Sequence, residues 1–250
     1  MAIKSISFLG RKVYIKHQLI TELVKDKKVV HYGCVDDDKE LIKQKLNKGY
    51  YLHKIVTEAS EDTIGIDLNK KTFPHLKKLG IDNVYYGDVE DPGTFDIDRL
   101  KIKKANVLLI PDLIEHLNNP GNMLEGIKNY FSEDIIVYIF TPNPFAWYNF
   151  VATLATKEIY TDYHTMYFTT ESMSVLLARY GFKIKRVLPV VIPKERGLLV
   201  RILDKLASKI STVISPGFAD AFMYECVIKK PNISSKNIKK HTLKNKTRSS

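Results

Sequence analysis

The chain has 250 residues, 44% of them hydrophobic and 27% charged, with a formal net charge of +11. That is enough to bury a full core in one domain, and two cysteines, Cys34 and Cys226, are too few for a disulfide framework. The opening "MAIKSISFLGRKVY" holds no apolar run long enough for a signal peptide, and no later stretch approaches a membrane span, so a cytoplasmic protein is expected.

The positive charge is local. Residues 229–250 carry eight lysines and arginines and no acid, so the preceding 228 residues are nearly balanced. With only Ile233, Ile238 and Leu243 to bury, this basic tail is expected to stay disordered. Any contact with nucleic acid or an anionic membrane would run through it, weakly.

In chain order, strand-like runs fall at 27–33, 62–67, 83–88, 105–112, 134–143, 182–191 and 222–229, with helical patterns at 39–48, 51–60, 70–79, 121–131, 171–180 and 198–212. Several strands are continuously apolar, as strands covered on both faces are. The alternation predicts a doubly wound α/β fold: a Rossmann-like, seven-stranded, mostly parallel sheet with an antiparallel edge strand. One domain spans 1–228, with an insertion at about 36–54 after the first strand and a substrate cap at about 144–170. "DDKE", Asp37 to Glu40, has capping-box spacing, "TTES" starts a second helix and Gly181 stops it.

Ligands of such a sheet sit outside the carboxyl ends of its strands, at the switch in strand order. Those ends are Gly33-Cys34-Val35-Asp36, Asp67-Leu68, Asp88-Val89 and Pro111-Asp112. The segments "VVHYGC", "TIGIDLN", "VYYGDVED", "LIPDLIEHLNNPGNML" and "YHTMYFTTESMSVLLARYGF" resemble the class I S-adenosylmethionine-dependent methyltransferases, in particular their small-molecule and sugar-pathway O-methyltransferase branch. The likeness covers roughly residues 27–190. It implies S-adenosyl-L-methionine as cofactor, with Gly33 and Cys34 passing its methionine part, Asp67 and Leu68 at the ribose, Asp88 and Val89 at the adenine, and Pro111 beneath it. The loop departs from the family, since only Gly33 remains of its glycines. Asp36 is free to pair with the cofactor's ammonium, His31 stands where the family often has an acid, and His53 or Lys54 is a candidate for its carboxylate.

Methyl transfer to an alcohol needs alignment and removal of the acceptor's proton. Asp112, Glu115 and His116 are spaced i, i+3 and i+4, one face of a helical turn, and His164 precedes a helix start on the same side of the sheet. Some relatives use such an acid-x-x-Glu-His turn to hold a divalent ion. By that resemblance Asp112, Glu115, His116 and His164 are candidate ligands for Mg²⁺, Mn²⁺ or a softer ion. The alternatives are His164 as a metal-free general base aided by His116, or a purely structural role for the turn. Phe145, Trp147, Tyr148, Tyr160 and Tyr163 are candidate walls of an acceptor pocket.

The function expected is O-methylation of a small polar metabolite, such as a sugar, sugar nucleotide or polysaccharide precursor. RNA methylation and a non-catalytic binding role are the alternatives.

Overall fold

The computed structural model describes residues 12–36, 38–96, 100, 102–159, 162–192 and 215–229. Asp37, Tyr160, the predicted helix at 198–212 and the tail from 230 onward lie outside these residues.

The strands are β1 (Tyr14–Ile15), β2 (Lys28–Tyr32), β3 (Asp62–Asp67), β4 (Val84–Tyr86), β5 (Val107–Pro111), β6 (Ile136–Pro142), β7 (Phe182–Val191) and β8 (Ala221–Ile228). The helices are α1 (Lys16–Val24), α2 (Lys39–Asn47), α3 (Leu52–Ala59), α4 (Phe73–Lys78), α5 (Pro120–Tyr130), α6 (Trp147–Leu154) and α7 (Thr170–Arg179). One sheet runs β1-β7-β8-β6-β5-β2-β3-β4. All pairs are parallel except β6/β8 and β7/β8, so the single antiparallel strand, β8, lies near one end of the sheet.

The seven expected strands all form, and the count rises to eight. The addition is β1, two residues long, pairing Tyr14 and Ile15 with Val190 and Val191. A strand of two residues has no periodicity to read, and only its register against β7 defines it.

Side-chain alternation divides the core. On β5, Leu108 and Ile110 face one way with Val30, Tyr32, Val137 and Ile139, packing on Met123, Leu124 and Ile127 of α5 and on Met173 and Leu177 of α7. Val107 and Leu109 face the other way with Val29, Tyr138 and Phe140, under Leu19, Ile20 and Val24 of α1 and Val56 of α3. Burial of β5 on both faces is why "VLLI" reads as an unbroken apolar run.

Helix α1 was not among the expected elements. Its apolar residues 19, 20 and 24 repeat at helical spacing and dock on the sheet, which sends its first residue, Lys16, to the carboxyl ends of the central strands. Helix α6 is the other unexpected element, inside the expected cap.

Helix starts follow their signals with one correction. The cap of α2 is Asp38, not Asp37: its carboxylate accepts from the backbone N–H groups of Glu40 and Leu41 at 2.8 and 3.3 Å. Thr169 and Ser172 form a reciprocal capping box at α7, and Gly181 ends that helix at φ +80°. The inserted α2 is seated by a third cluster in which Ile42 and Tyr51 pack with Cys34 and Leu76. No described helix is long and apolar enough to cross a membrane.

Candidate active site

Strand order reverses between β2 and β5, which lie side by side with crossovers leaving in opposite directions. That is the switch point at which such sheets bind ligands, and a cavity of about 660 Å³ opens there.

The turn after β2 sets its floor. Gly33 adopts φ +64°, and a Cβ there would come within 3.0 Å of the Leu113 side chain, so glycine alone fits without strain. Its N–H is held by the Ile66 carbonyl at 3.0 Å. Asp67, at the end of β3 and 8% exposed, accepts from Val35 N–H at 2.9 Å and from Asn69 N–H at 2.8 Å. Its carboxylate therefore pins the β2 turn to the β3 turn. A carboxylate at this strand end is an acceptor of the type that suits hydroxyl groups of a ribose.

Of the expected cofactor residues, Gly33, Cys34, Asp36, Asp67 and Pro111 line this cavity. The thiol of Cys34 is buried, and burial pushes its pKa up, so it packs and does not react. Asp36 pairs with Lys45 of α2 at 2.5 Å. Leu68, Asp88 and Val89 do not line the cavity. Leu68 is 54% exposed and Val89 is buried in the core, while Asp88 accepts from Glu90 N–H at 2.9 Å and shapes its own turn. His53 lines the cavity but its ring is held between His31 and Asn83, and Lys54 is in an exposed pair with Glu58.

The Glu115-His116 turn is a single 3₁₀ turn, Ile114–His116, and this changes the expected ligand set. Asp112 sits before the turn in the left-handed region, φ +47°, and its carboxylate swings away to form an ion pair with Lys16. One helical face does not hold all three residues. Glu115, His116 and His164 do come together, with one ligating atom from each within 4.8 Å of the others.

The meeting is enforced by backbone bonds. Thr165 N–H and Met166 N–H both donate to the Glu115 carbonyl, at 2.9 and 3.2 Å, and the Thr165 hydroxyl donates to the Leu117 carbonyl at 2.9 Å. His116 Nδ1 lies 3.0 Å from the Tyr163 carbonyl. A carbonyl only accepts, so Nδ1 carries the proton and Nε2 offers a lone pair. Both Glu115 oxygens and His164 Nδ1 are buried without a hydrogen-bond partner. Burial first, and the Asp112 charge second, push the Glu115 pKa up to about 8. Burial, then neighbouring His116, lowers that of His164, which keeps its ring neutral at physiological pH.

Among the described aromatic candidates only Tyr163 borders the cavity. Phe145 is 63% exposed, and Trp147 and Tyr148 stack edge to face on each other. The wall that the motifs did not reveal comes from α1 and α2: Lys16, His17 and Lys45. The apolar spacing of residues 19–24 was the available signal for α1; nothing local marks Lys16 as facing β5.

No protein-family model matches the sequence, and no curated protein matches it. Solved structures do match. A chain from the complex of the Haloferax volcanii Trm112 methyltransferase activator with a methyltransferase aligns over 86% of this chain and 89% of its own, at 10% identity and TM-score 0.54. A Sulfolobus solfataricus chain assigned as a type 11 methyltransferase aligns over 88% and 96%, at 12% identity and 0.52. A Listeria monocytogenes chain assigned as an S-adenosylmethionine-dependent methyltransferase aligns over 85% and 96%, at 12% identity and 0.50. These likenesses establish the fold, that of the class I S-adenosylmethionine-dependent methyltransferases. Function lives in the site and is argued from it.

Proposed function

We propose that the chain is an S-adenosylmethionine-dependent methyltransferase acting on a hydroxyl of a small polar metabolite. The observation that carries this is the pair of features at the switch point: the Asp67 carboxylate at the end of β3, and the neutral imidazole of His164 held near the same crevice by the Glu115 turn. The fold neighbours are consistent with the cofactor. The acceptor class rests on His164 and on the earlier sequence resemblance.

The cofactor supplies a methyl group already activated on a sulfonium, so no acid is needed for the leaving group. The chain has two tasks. Gly33 and Asp67 fix the nucleoside so that donor and acceptor align, and alignment alone is worth roughly 7–11 kcal/mol. His164 takes the acceptor's hydroxyl proton on a ring lone pair, beside His116, which lines the cavity. Its depressed pKa keeps that lone pair available.

A second reading has its own support. Glu115, His116 and His164 each bring one ligand atom within 4.8 Å of the others, and the Glu115 carboxylate is buried with the Thr141 hydroxyl beside it, a donor set that suits a divalent cation. Such an ion would lower the pKa of the acceptor hydroxyl. Asp112, paired with Lys16, is outside that set.

The test is incubation with methyl-labelled cofactor and pools of sugars, sugar nucleotides and RNA, read by mass spectrometry, with and without chelator. Label on a small hydroxylated metabolite is expected; label only on RNA would refute the acceptor class. Activity lost in chelator and restored by a divalent ion selects the second reading.

A further inference from the structure

The amino-acid end of the cofactor still needs partners, and several polar groups of the β2 turn are engaged within the protein. Gly33 N–H donates to the Ile66 carbonyl, Val35 N–H to Asp67, and the Asp36 carboxylate is paired with Lys45. Where the family often carries an acid, β2 has His31.

Hydrogen bonding fixes what His31 presents to the cavity. Asn83 Nδ2 donates to Thr57 Oγ1 and to the Thr63 carbonyl, at 3.1 and 3.0 Å, so Asn83 Oδ1 faces His53 Nε2 at 3.2 Å. An amide oxygen only accepts, hence His53 carries its proton on Nε2. Burial holds the His53 pKa at about 4, so its ring is neutral and its Nδ1 is a lone pair. The proton in the 3.1 Å contact between the two Nδ1 atoms therefore belongs to His31. His31 is fully buried and its pKa lies well below the ordinary value, through burial, His53 and Lys16 in that order. Its Nε2 is left as a bare acceptor, buried and unpartnered, in a residue that lines the cavity.

The opposite charge preference stands beside it. Lys16 and His17 open α1 on the same cavity, and the Lys16 side chain is 5% exposed. The helix has nine residues, no side-chain cap and no acid of its own in the first turn, so its positive end favours an anion, and the acid beside it is Asp112. Lys16 meets one carboxylate oxygen of Asp112, while Asp112 Oδ1 is buried without a partner. An ammonium cation, an uncapped helix start and a buried lone pair converge on one wall. That set is complementary to a zwitterion.

We infer that Lys16 and His31 form the subsite for the α-amino-acid group of the cofactor, the carboxylate on the Lys16 ammonium and the start of α1, the ammonium donating to His31 Nε2. The inference rests on the cofactor proposed above. It makes this protein discriminate by the charges at the end of the ligand, with an imidazole and a lysine in place of an acid and a glycine loop.

Calorimetric titration of the full chain with four ligands tests it: S-adenosylhomocysteine, its decarboxylated analogue, its deaminated analogue, and methylthioadenosine, which lacks the whole amino-acid end. Wild type should bind S-adenosylhomocysteine at least about tenfold tighter than either singly trimmed analogue, the range expected of a charge-assisted hydrogen bond. Lys16→Met should erase the preference for the carboxylate and leave affinity for the decarboxylated analogue the same; Lys16→Arg should keep the preference. His31→Phe should erase only the preference for the ammonium. Equal wild-type affinity for S-adenosylhomocysteine and methylthioadenosine would overturn the inference even if a variant fails to fold. So would a Lys16→Met loss equal for carboxylated and decarboxylated ligands. If no adenosyl ligand binds wild type at all, the cofactor assignment falls, and the subsite with it.

Discussion

His116 and His164 stand edge to face, with ring centroids 4.7 Å apart and planes inclined by 74°, although 47 residues separate them in the chain. The contact exists because the 162–169 segment is tied to the Glu115 turn by backbone bonds. It sets His164 against His116, which lines the crevice.

Replacing His164 by alanine should therefore lower turnover by at least about a hundredfold, the low end of general-base contributions. Affinity for S-adenosylhomocysteine should not change, because His164 is not among the residues bordering the nucleoside cavity. Steady-state kinetics and calorimetry together check this. Full activity would remove His164 from the mechanism.

The tether has its own signature. Thr165→Val removes the one hydroxyl proton shared between the carbonyls of Glu115 and Leu117, at 3.1 and 2.9 Å, a bond worth about 1 kcal/mol. The expected result is a fall in kcat with nearly unchanged cofactor affinity and a small loss of thermal stability. Unchanged kcat would show that the loop keeps His164 in place without it.

Asp67 couples two turns. Asp67→Ala should leave Val35 N–H and Asn69 N–H without their carboxylate acceptor and remove the ribose ligand, weakening nucleoside binding by ten- to a hundredfold or more. Calorimetry reads the affinity and thermal unfolding reads the turn. Wild-type affinity in this variant would contradict the placement of the ribose.

The His31–His53 pair predicts acid sensitivity. In the folded protein His53 titrates at about 4, against 6.5 when unfolded, so below pH 6.5 the unfolded state binds the extra proton. The stability this pair supports is complete above pH 6.5 and lost as pH falls through 4. Each pH unit of depression is worth about 1.4 kcal/mol, giving roughly 3 kcal/mol for His53. Urea unfolding between pH 7.5 and 4.5 should show wild type losing stability faster than His53→Gln. Parallel curves would contradict a neutral buried pair.

Much of this fold was legible because it depends on local pattern. The apolar run of Val107 to Ile110, the left-handed stop at Gly181 and the acids ending β3 and β4 are properties of short windows. The candidate site was legible in part for the same reason: Glu115, His116 and His164 stand in motifs that the sequence marks, and their side chains meet. Three things were not readable. Two-residue β1 owes its existence to a register against β7, 176 residues away by the Tyr14–Val190 pairing. The ion pair of Lys16 with Asp112 spans 96 positions, and it removed Asp112 from the ligand set. The commitment of Asp36 to Lys45 depends on how the inserted α2 folds back. Long-range charge pairing leaves no periodic trace in a sequence, whereas burial does.

The central claim is that the crevice between β2, β3 and β5 accepts an adenosyl nucleoside against Asp67. Calorimetric titration of the full chain with S-adenosylhomocysteine tests it most directly. Saturable one-to-one binding in the micromolar range, lost in Asp67→Ala, is the predicted result. Absence of heat at millimolar ligand, from protein shown to be folded, would contradict it.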